Sequence, residues 1–222
     1  IVTVRNAESL KQLEDYGIKS GILTADTAHT VDKILLHDNK KHIDGKNIFF
    51  HVQINRINDA RKIIPALNKF LEIHNEYNVF VGTDQYISND NALKEFTTQI
   101  KAKQVNVLHF DYPVDLCYTL SDMDVIITPK LHVGIVGATL GKSVLSFSIH
   151  TEKINRFYNQ LHENGRSLPM AEFTDRKALE MLEKYYNVPM KVPEQVRKNA
   201  FKNLYYVDNF VKSLPAYKEE KI

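Results

Sequence analysis

Short apolar runs rich in β-branched and aromatic residues alternate along this chain with longer stretches whose apolar positions recur every three or four residues. The short runs are IVTVR (1–5), NIFFHV (47–52), NVFVG (78–82), VNVLHF (105–110), DVIIT (124–128) and SVLSFS (143–148). Several are apolar at nearly every position, as strands covered on both faces require. Between them the spacing predicts helices. In 58–76, Ala60, Ile63, Ile64, Leu67, Phe70 and Leu71 form one stripe, with Asn58 or Asp59 expected as N-cap. Weaker stripes run over 90–103 and 113–122, and a helix is expected over 131–140, after Pro129. Beyond residue 150 the chain turns helical, over 151–164, 175–185 and 194–213, the last with Val196, Ala200, Leu204, Val207 and Val211 on one face. Strand and helix in strict alternation predict an α/β fold with a parallel, doubly wound sheet.

The stretch HTVDKILLHDNKKHIDGK (29–46) breaks this alternation. It is polar, charged and without a clear period, and reads as a linker. A boundary is therefore expected near residue 44. Residues 1–44 would close an N-terminal domain and carry the linker, and 45–222 would form a C-terminal domain with closing helices. One strand and one helix are too little to fold alone. The opening segment is thus expected to belong to a largely absent domain, which would leave the fragment inactive by itself.

Composition narrows the function. With 43% hydrophobic and 25% charged residues the chain is an ordinary globular protein. A net charge of +2, without a dense Lys/Arg cluster, argues against a nucleic-acid partner. The lone Cys117 excludes an internal disulfide, suits a reducing compartment such as the cytoplasm, and reads as a small core residue on an apolar helix face. No apolar run reaches the ~18 residues of a transmembrane helix, so peripheral association is the one membrane contact left open.

The candidate chemistry gathers in ITPKLHVGIVGATLGKS (127–143). Its Gly141-Lys142-Ser143 ending imitates a nucleotide phosphate loop, but that loop needs G-x-x-x-x-G-K-[ST] between a strand and the following helix. Here Val136 stands five residues before Gly141, and the glycines lie within or at the end of a helix that leads into a strand. Gly134 and Gly137 are expected to let the helix pack closely, and Gly141 to cap it. Asp122-Met-Asp124 imitates a metal-binding Asp-x-Asp, yet it precedes its strand, whereas ligands of open α/β sheets bind beyond the carboxyl ends. Glu172 and Glu180 are spaced like the paired glutamates of retaining glycosyltransferases with two Rossmann-like domains. Those acids belong on the helix over 131–142, which here has neither Asp nor Glu, so Glu180 reads as part of a solvated face. Nine histidines form no H-E-x-x-H and no Cys/His cluster, so no metal site is expected. His132 differs from the rest in position. It lies on the first helical turn beyond an apolar strand, where free N–H groups and the helix dipole favour an anion, and Lys130 adds a positive charge.

Together these residues resemble the polysaccharide pyruvyl transferase family. Its signature is Arg-Leu-His after an apolar strand, a helix of small residues, Gly, a second strand, and then Lys. The chain reads DVIITPKLHVGIVGATLGKSVLSFSIHTEK (124–153), with Lys130-Leu131-His132 at the triplet and Lys153 at the last position. Upstream, VTVRNAESLKQLEDYGIKSGILTAD (2–26) is similar to the family's Val-Arg-Asp-x-x-Ser-x-x-x-Leu segment, with Arg5, Ser9, Leu13, Gly17 and Asp26 at matching positions. Lys130 stands where the family has Arg, and a lysine cannot make a bidentate fork to a carboxylate. The family's Asp-Pro-Ala-Phe reads Asp26-Thr-Ala-His29.

The resemblance implies a Rossmann-like C-terminal half of a GT-B-like enzyme, with Arg5 and the triplet on opposite sides of an interdomain cleft. It implies transfer of the pyruvyl group of phosphoenolpyruvate onto two hydroxyls of a sugar, free or lipid-linked, in a cell-surface polysaccharide or its precursor. The product would be a ketal, and neither metal nor organic cofactor is demanded. His132 would be catalytic, and Arg5, Lys130, Leu131 and Lys153 would bind substrate. Two other readings remain: a nucleotide-sugar glycosyltransferase of the same fold, and a non-catalytic sugar-binding module.

Overall fold

Five of the six apolar runs line up side by side in one sheet. The computed structural model describes residues 2–35, 42–84 and 91–214. The chain opens with β1 (Val2–Val4), α1 (Ala7–Asp15), β2 (Gly21–Leu23) and the short α2 (Val31–Ile34). There follow β3 (Lys46–His51), α3 (Ile57–Ile73), β4 (Tyr77–Gly82), α4 (Asn91–Thr97), β5 (Val105–Leu108) and α5 (Pro113–Ser121). Then come β6 (Val125–Ile127), α6 (Leu131–Thr139), β7 (Ser143–Ser148), α7 (Thr151–Leu161), β8 (Ser167–Pro169), α8 (Asp175–Tyr185) and α9 (Glu194–Ser213).

Each expected helix forms, with two corrections. Helix α3 is not capped by Asn58 or Asp59. A 3-10 turn at Ile54–Arg56 leads straight into it, Arg56 takes the cap position, and Asn58 and Asp59 instead accept bonds of 3.0 Å from Arg61 and Lys62. Helix α4 stops at Thr97, well short of 103. The hydroxyls of Thr97 and Thr98 donate back to the carbonyls of Lys94 and Glu95, a local alternative to helical pairing. Strands β2 and β8 were not expected, because three residues are too few to show a period and Pro169 is tolerated only at an edge.

The chain forms two compact units, residues 1–34 with 192–222, and residues 35–191. In the first, β1 and β2 pair in parallel. Helix α9 belongs to this unit, whereas the sequence suggested it would go with 45–222. Bonds hold it there: Asn203 Nδ2 donates to the Ala25 carbonyl at 2.7 Å, and Arg197 pairs with Asp32 at 2.7 Å. Residues 36–41 of the expected linker lie outside the described residues.

The second unit is a six-stranded sheet in the order β5-β4-β3-β6-β7-β8, parallel throughout. It is the doubly wound sheet that the alternation predicts. Ile48, Phe50, Val79, Val81, Ile127, Leu145 and Phe147 pack on one face with residues of α3 and α8. On the other face α6 lies close to the sheet. A Cβ on Gly137 would fall 2.5 Å from Ile126 Cδ1 and 2.9 Å from Val144 Cγ2, so only glycine fits without repacking. At the amino edge, Arg166 is fully buried. It bonds Glu163 and the Val188 carbonyl, each at 2.8 Å, and lies 4.5 Å from the centre of the Tyr185 ring. No helix among the described residues is long and apolar enough to cross a membrane.

Candidate functional site

The strand order sets where a ligand can bind. From β3 the chain moves outward through β4 and β5, then returns to β6 and moves the other way through β7 and β8. The connections therefore diverge between β3 and β6, and a crevice opens at the carboxyl ends of these two strands. Three polar residues from adjacent strands meet there. His51 ends β3, Asp84 follows β4, and Thr128 follows β6.

They close into a ring. His51 is fully buried, with Nδ1 3.1 Å from Thr128 Oγ1 and Nε2 3.1 Å from Asp84 Oδ1. Lys130 Nζ donates to Asp84 Oδ2, and the Lys130 backbone N–H donates to Thr128 Oγ1 at 3.0 Å. Burial pushes the His51 imidazole below its ordinary range, which keeps it neutral, although Asp84 pulls the other way. Burial would raise the Asp84 carboxyl, but the hydrogen bonds from His51 and Lys130 outweigh it and hold the group well below the usual carboxylate range. Lys130 is thus fixed at its root by Thr128 and at its tip by a carboxylate.

Lys130 is also the N-cap of α6, with extended backbone and no cap bond from its own side chain. Leu131 is half-buried. His132, on the same turn, is exposed and forms part of the wall of a cavity of about 610 Å³ between β4, β5, α5 and α6. This end of the helix combines N–H donors, a cation and an exposed imidazole, which suits binding a small anion and moving a proton.

The other expected site residues belong to other elements of the chain. Lys153 is exposed on the first turn of α7, beyond the neighbouring strand β7. Arg5 lies in the first unit, where Nη1 meets Asp26 Oδ2 at 2.9 Å; Asp26 Oδ1 in turn accepts the Ala28 N–H at 3.1 Å. The imitations fall at the sheet's amino edge or in solvent. Asp124 accepts the Asn47 N–H at 2.7 Å, and Asp122 accepts from Ile43 at 3.2 Å. Gly141 caps α6 with a φ of 71°. Lys142 then opens toward β7, its ammonium pKa lowered by burial and raised in part by Asp124 and Asp122. Glu180 is exposed beside Arg176.

His51 and Asp84 escaped the sequence reading. A histidine ending NIFFH looks like one more buried strand position, and nothing local ties it to an aspartate 33 residues on. A signal was present all the same: His51 and Thr128 are each the first polar residue at the carboxyl end of an apolar run, and Asp84 follows Thr83 beyond a third. Among the described residues, no group of three or more His, Cys, Asp or Glu gathers as a metal ligand set.

Solved structures share this fold. Over 96% of the chain it resembles an S. aureus MnaA–UDP structure, with a TM-score of 0.66 and 13% identity. Over 93% it resembles UDP-GlcNAc 2-epimerase from Methanocaldococcus jannaschii, with a TM-score of 0.68 and 12% identity. Over 94% it resembles the Neisseria meningitidis UDP-GlcNAc 2-epimerase bound to UDP-GlcNAc, with a TM-score of 0.64 and 15% identity. The chain spans about three fifths of the length of these proteins, at 61%, 61% and 60% respectively. At such identities the likeness is one of fold, and it gives the 35–191 unit the architecture of a Rossmann-like half of a GT-B-like protein. No curated protein matches the sequence. The model of the polysaccharide pyruvyl transferase family matches residues 1–151 of the 222, well over half the chain. On that match, the chain belongs to the polysaccharide pyruvyl transferase family.

Proposed function

We propose that this chain carries part of an active site that transfers the pyruvyl group of phosphoenolpyruvate onto two hydroxyls of a sugar. The observation that carries the reading is the start of α6, where Lys130, the amino end of the helix and His132 converge at the switch point of the sheet. Phosphoenolpyruvate is a phosphate and a carboxylate on one small enol, so it calls for a cation and N–H donors. Lys130 and the α6 N-terminus supply them, with Arg5 and Lys153 as further anion ligands in the assembled protein. Leu131 packs beneath the donor.

His132 is the proton donor in this reading. A proton moves from its imidazolium to the enol methylene, which becomes a methyl group, while a sugar hydroxyl attacks the adjacent carbon and gives up its own proton. Phosphate leaves with the bonding pair, and the second hydroxyl closes the ketal. Two hydroxyl protons are lost overall: one ends on the methyl group and the other on phosphate. Histidine is the side chain that ordinarily exchanges a proton near neutrality. The Asp84–His51–Thr128 chain keeps Lys130 from swinging away, so the cation is preorganised.

The test is incubation of the intact protein with phosphoenolpyruvate and candidate sugars, following inorganic phosphate and the new methyl resonance of a ketal. Sugar-dependent phosphate release is the expected result. Release of nucleotide from a nucleotide sugar, with phosphoenolpyruvate untouched, would replace this reading with glycosyl transfer.

A further inference from the structure

We infer that the cavity beside His132 is a subsite for a neutral, polyhydroxyl ring, and so holds the sugar acceptor and not the anionic donor. Its naming as the acceptor site rests on the pyruvyl-transfer reading; its chemistry does not. The volume of about 610 Å³ is ample for a mono- or disaccharide. Charge decides what kind of ligand enters. Among the described residues the lining carries two carboxylates, Asp84 and Asp111, and neither Lys nor Arg. Asp84 is already paired with Lys130, so a phosphate or diphosphate pushed into this space would face the Asp111 carboxylate, whereas a hydroxyl finds in Asp111 an acceptor for a strong hydrogen bond.

Aromatic walls point the same way. The C–H faces of a sugar ring pack on flat apolar surfaces, and its rim of hydroxyls needs polar partners beside them. Phe110 and Tyr112 flank Asp111 in sequence and line the same cavity. Phe110 is a fixed wall. Its ring meets Phe49 edge-on at 6.2 Å, and it lies so close over Gly82 that a Cβ there would come within 3.0 Å of it. Tyr112, by contrast, is 69% exposed, which leaves its ring face open to serve as a platform. His132 shares the wall, so a hydroxyl held in this cavity is presented to the group that moves the proton.

The only cysteine in this sequence reports on occupancy. Cys117 lines the cavity and is half-buried, and burial raises its thiol pKa, so alkylation is best followed at mildly alkaline pH. The intact protein is treated with N-ethylmaleimide, and the peptide carrying Cys117 is quantified over time. Probes are the methyl pyranosides of galactose, glucose and mannose, phosphoenolpyruvate, and UDP as a nucleoside diphosphate. At least one methyl hexoside should slow modification, by about tenfold at roughly ten times its dissociation constant, while phosphoenolpyruvate and UDP alone should not. Tyr112→Ala and Asp111→Asn, both at exposed positions, should remove that protection without shifting the melting temperature.

The inference is overturned if no hexoside protects, if protection survives both substitutions, or if UDP protects in place of sugars. Protection without phosphoenolpyruvate-dependent phosphate release would keep the sugar subsite and sink pyruvyl transfer. Phosphate release with Cys117 unprotected would do the reverse.

Discussion

Helix α6 has a lysine at each end, and the two live in different chemistry. Lys130 precedes the helix at the carboxyl edge of the sheet, tied to Asp84, beside the amino end of α6 and the opening of a cavity. Lys142 follows the helix at the amino edge, half-buried near Asp122 and Asp124, and its backbone carbonyl accepts the Met190 N–H at 3.0 Å. Both have a carboxylate nearby. What differs is what else each meets: an exposed imidazole and a cavity in one case, turns that close the fold in the other. The edge of the sheet, more than the residue type or its glycine-rich neighbours, is what sets the lysine proposed to bind the donor apart from the other.

The sharpest test of this contrast is at the carboxyl end. His132→Ala in the intact protein should lower kcat for phosphate release by about 10²–10⁴-fold, the usual loss of a general acid, with an unchanged circular dichroism spectrum. Near-normal turnover would leave His132 a surface residue. Next in size, Lys130→Ala should raise KM for phosphoenolpyruvate about tenfold or more, as loss of a charged hydrogen bond does. Lys130→Arg should hold or lower KM, because a guanidinium can fork to a carboxylate. A kcat effect as large as that of His132→Ala would show that Lys130 does more than bind.

Between the two ends lies Gly137. Gly137→Ala should destabilise the protein by about 1–3 kcal/mol through overpacking against Ile126 and Val144, measured by denaturant melting. A neutral result would mean that α6 can lift off the sheet at little cost.

Acid should also separate the edges. Burial lowers the pKa of His51 from 6.5, and that of His29 from 6.5 to about 4. In each case the unfolded chain binds the proton more readily, so stability is full above about pH 6.5 and is lost as pH falls through the folded value. For His29 a loss on the order of 1–2 kcal/mol is expected between pH 7 and 5, and His51 should add to it in the same direction. Denaturation midpoints that stay flat over this range would mean the buried rings are not neutral. The smallest effect belongs to Lys142→Ala, which should leave kcat and KM unchanged and stability within about 1 kcal/mol. A rise in KM there would erase the distinction drawn between the two lysines.

Much of this was legible before any coordinates. The strands and helices follow from periodicity, since a two-sided sheet writes its burial directly into apolar runs such as NIFFHV and SVLSFS. The position of Lys130 and His132 was legible for a related reason: a strand followed at once by a helix fixes which edge the linking residues occupy. Asp84 and His51 were not. Their meeting depends on β4 lying beside β3, and Thr128 joins them only because β6 lies on the other side. Strand order is a property of the whole chain, and no local pattern encodes it. The membership of α9 was illegible in the same way, because its bonds from Arg197 and Asn203 reach residues 165 and 178 positions back.

The buried Arg166 bears on the order in which the sheet comes apart. A guanidinium keeps its charge at any pH a protein meets, and this one grips a carbonyl, a carboxylate and an aromatic ring from segments that flank the start of β7. The carboxyl edge is knit instead around a buried neutral imidazole, which takes a proton more readily once that edge opens, so acid favours the opened form. Loosening should therefore begin where the ligand binds and travel toward the far rim, with amide hydrogens near His51 and Thr128 exchanging first and those around Ser143 and Val188 last. On the proposed reading, the end of the sheet that meets the ligand would then also be the end that opens first.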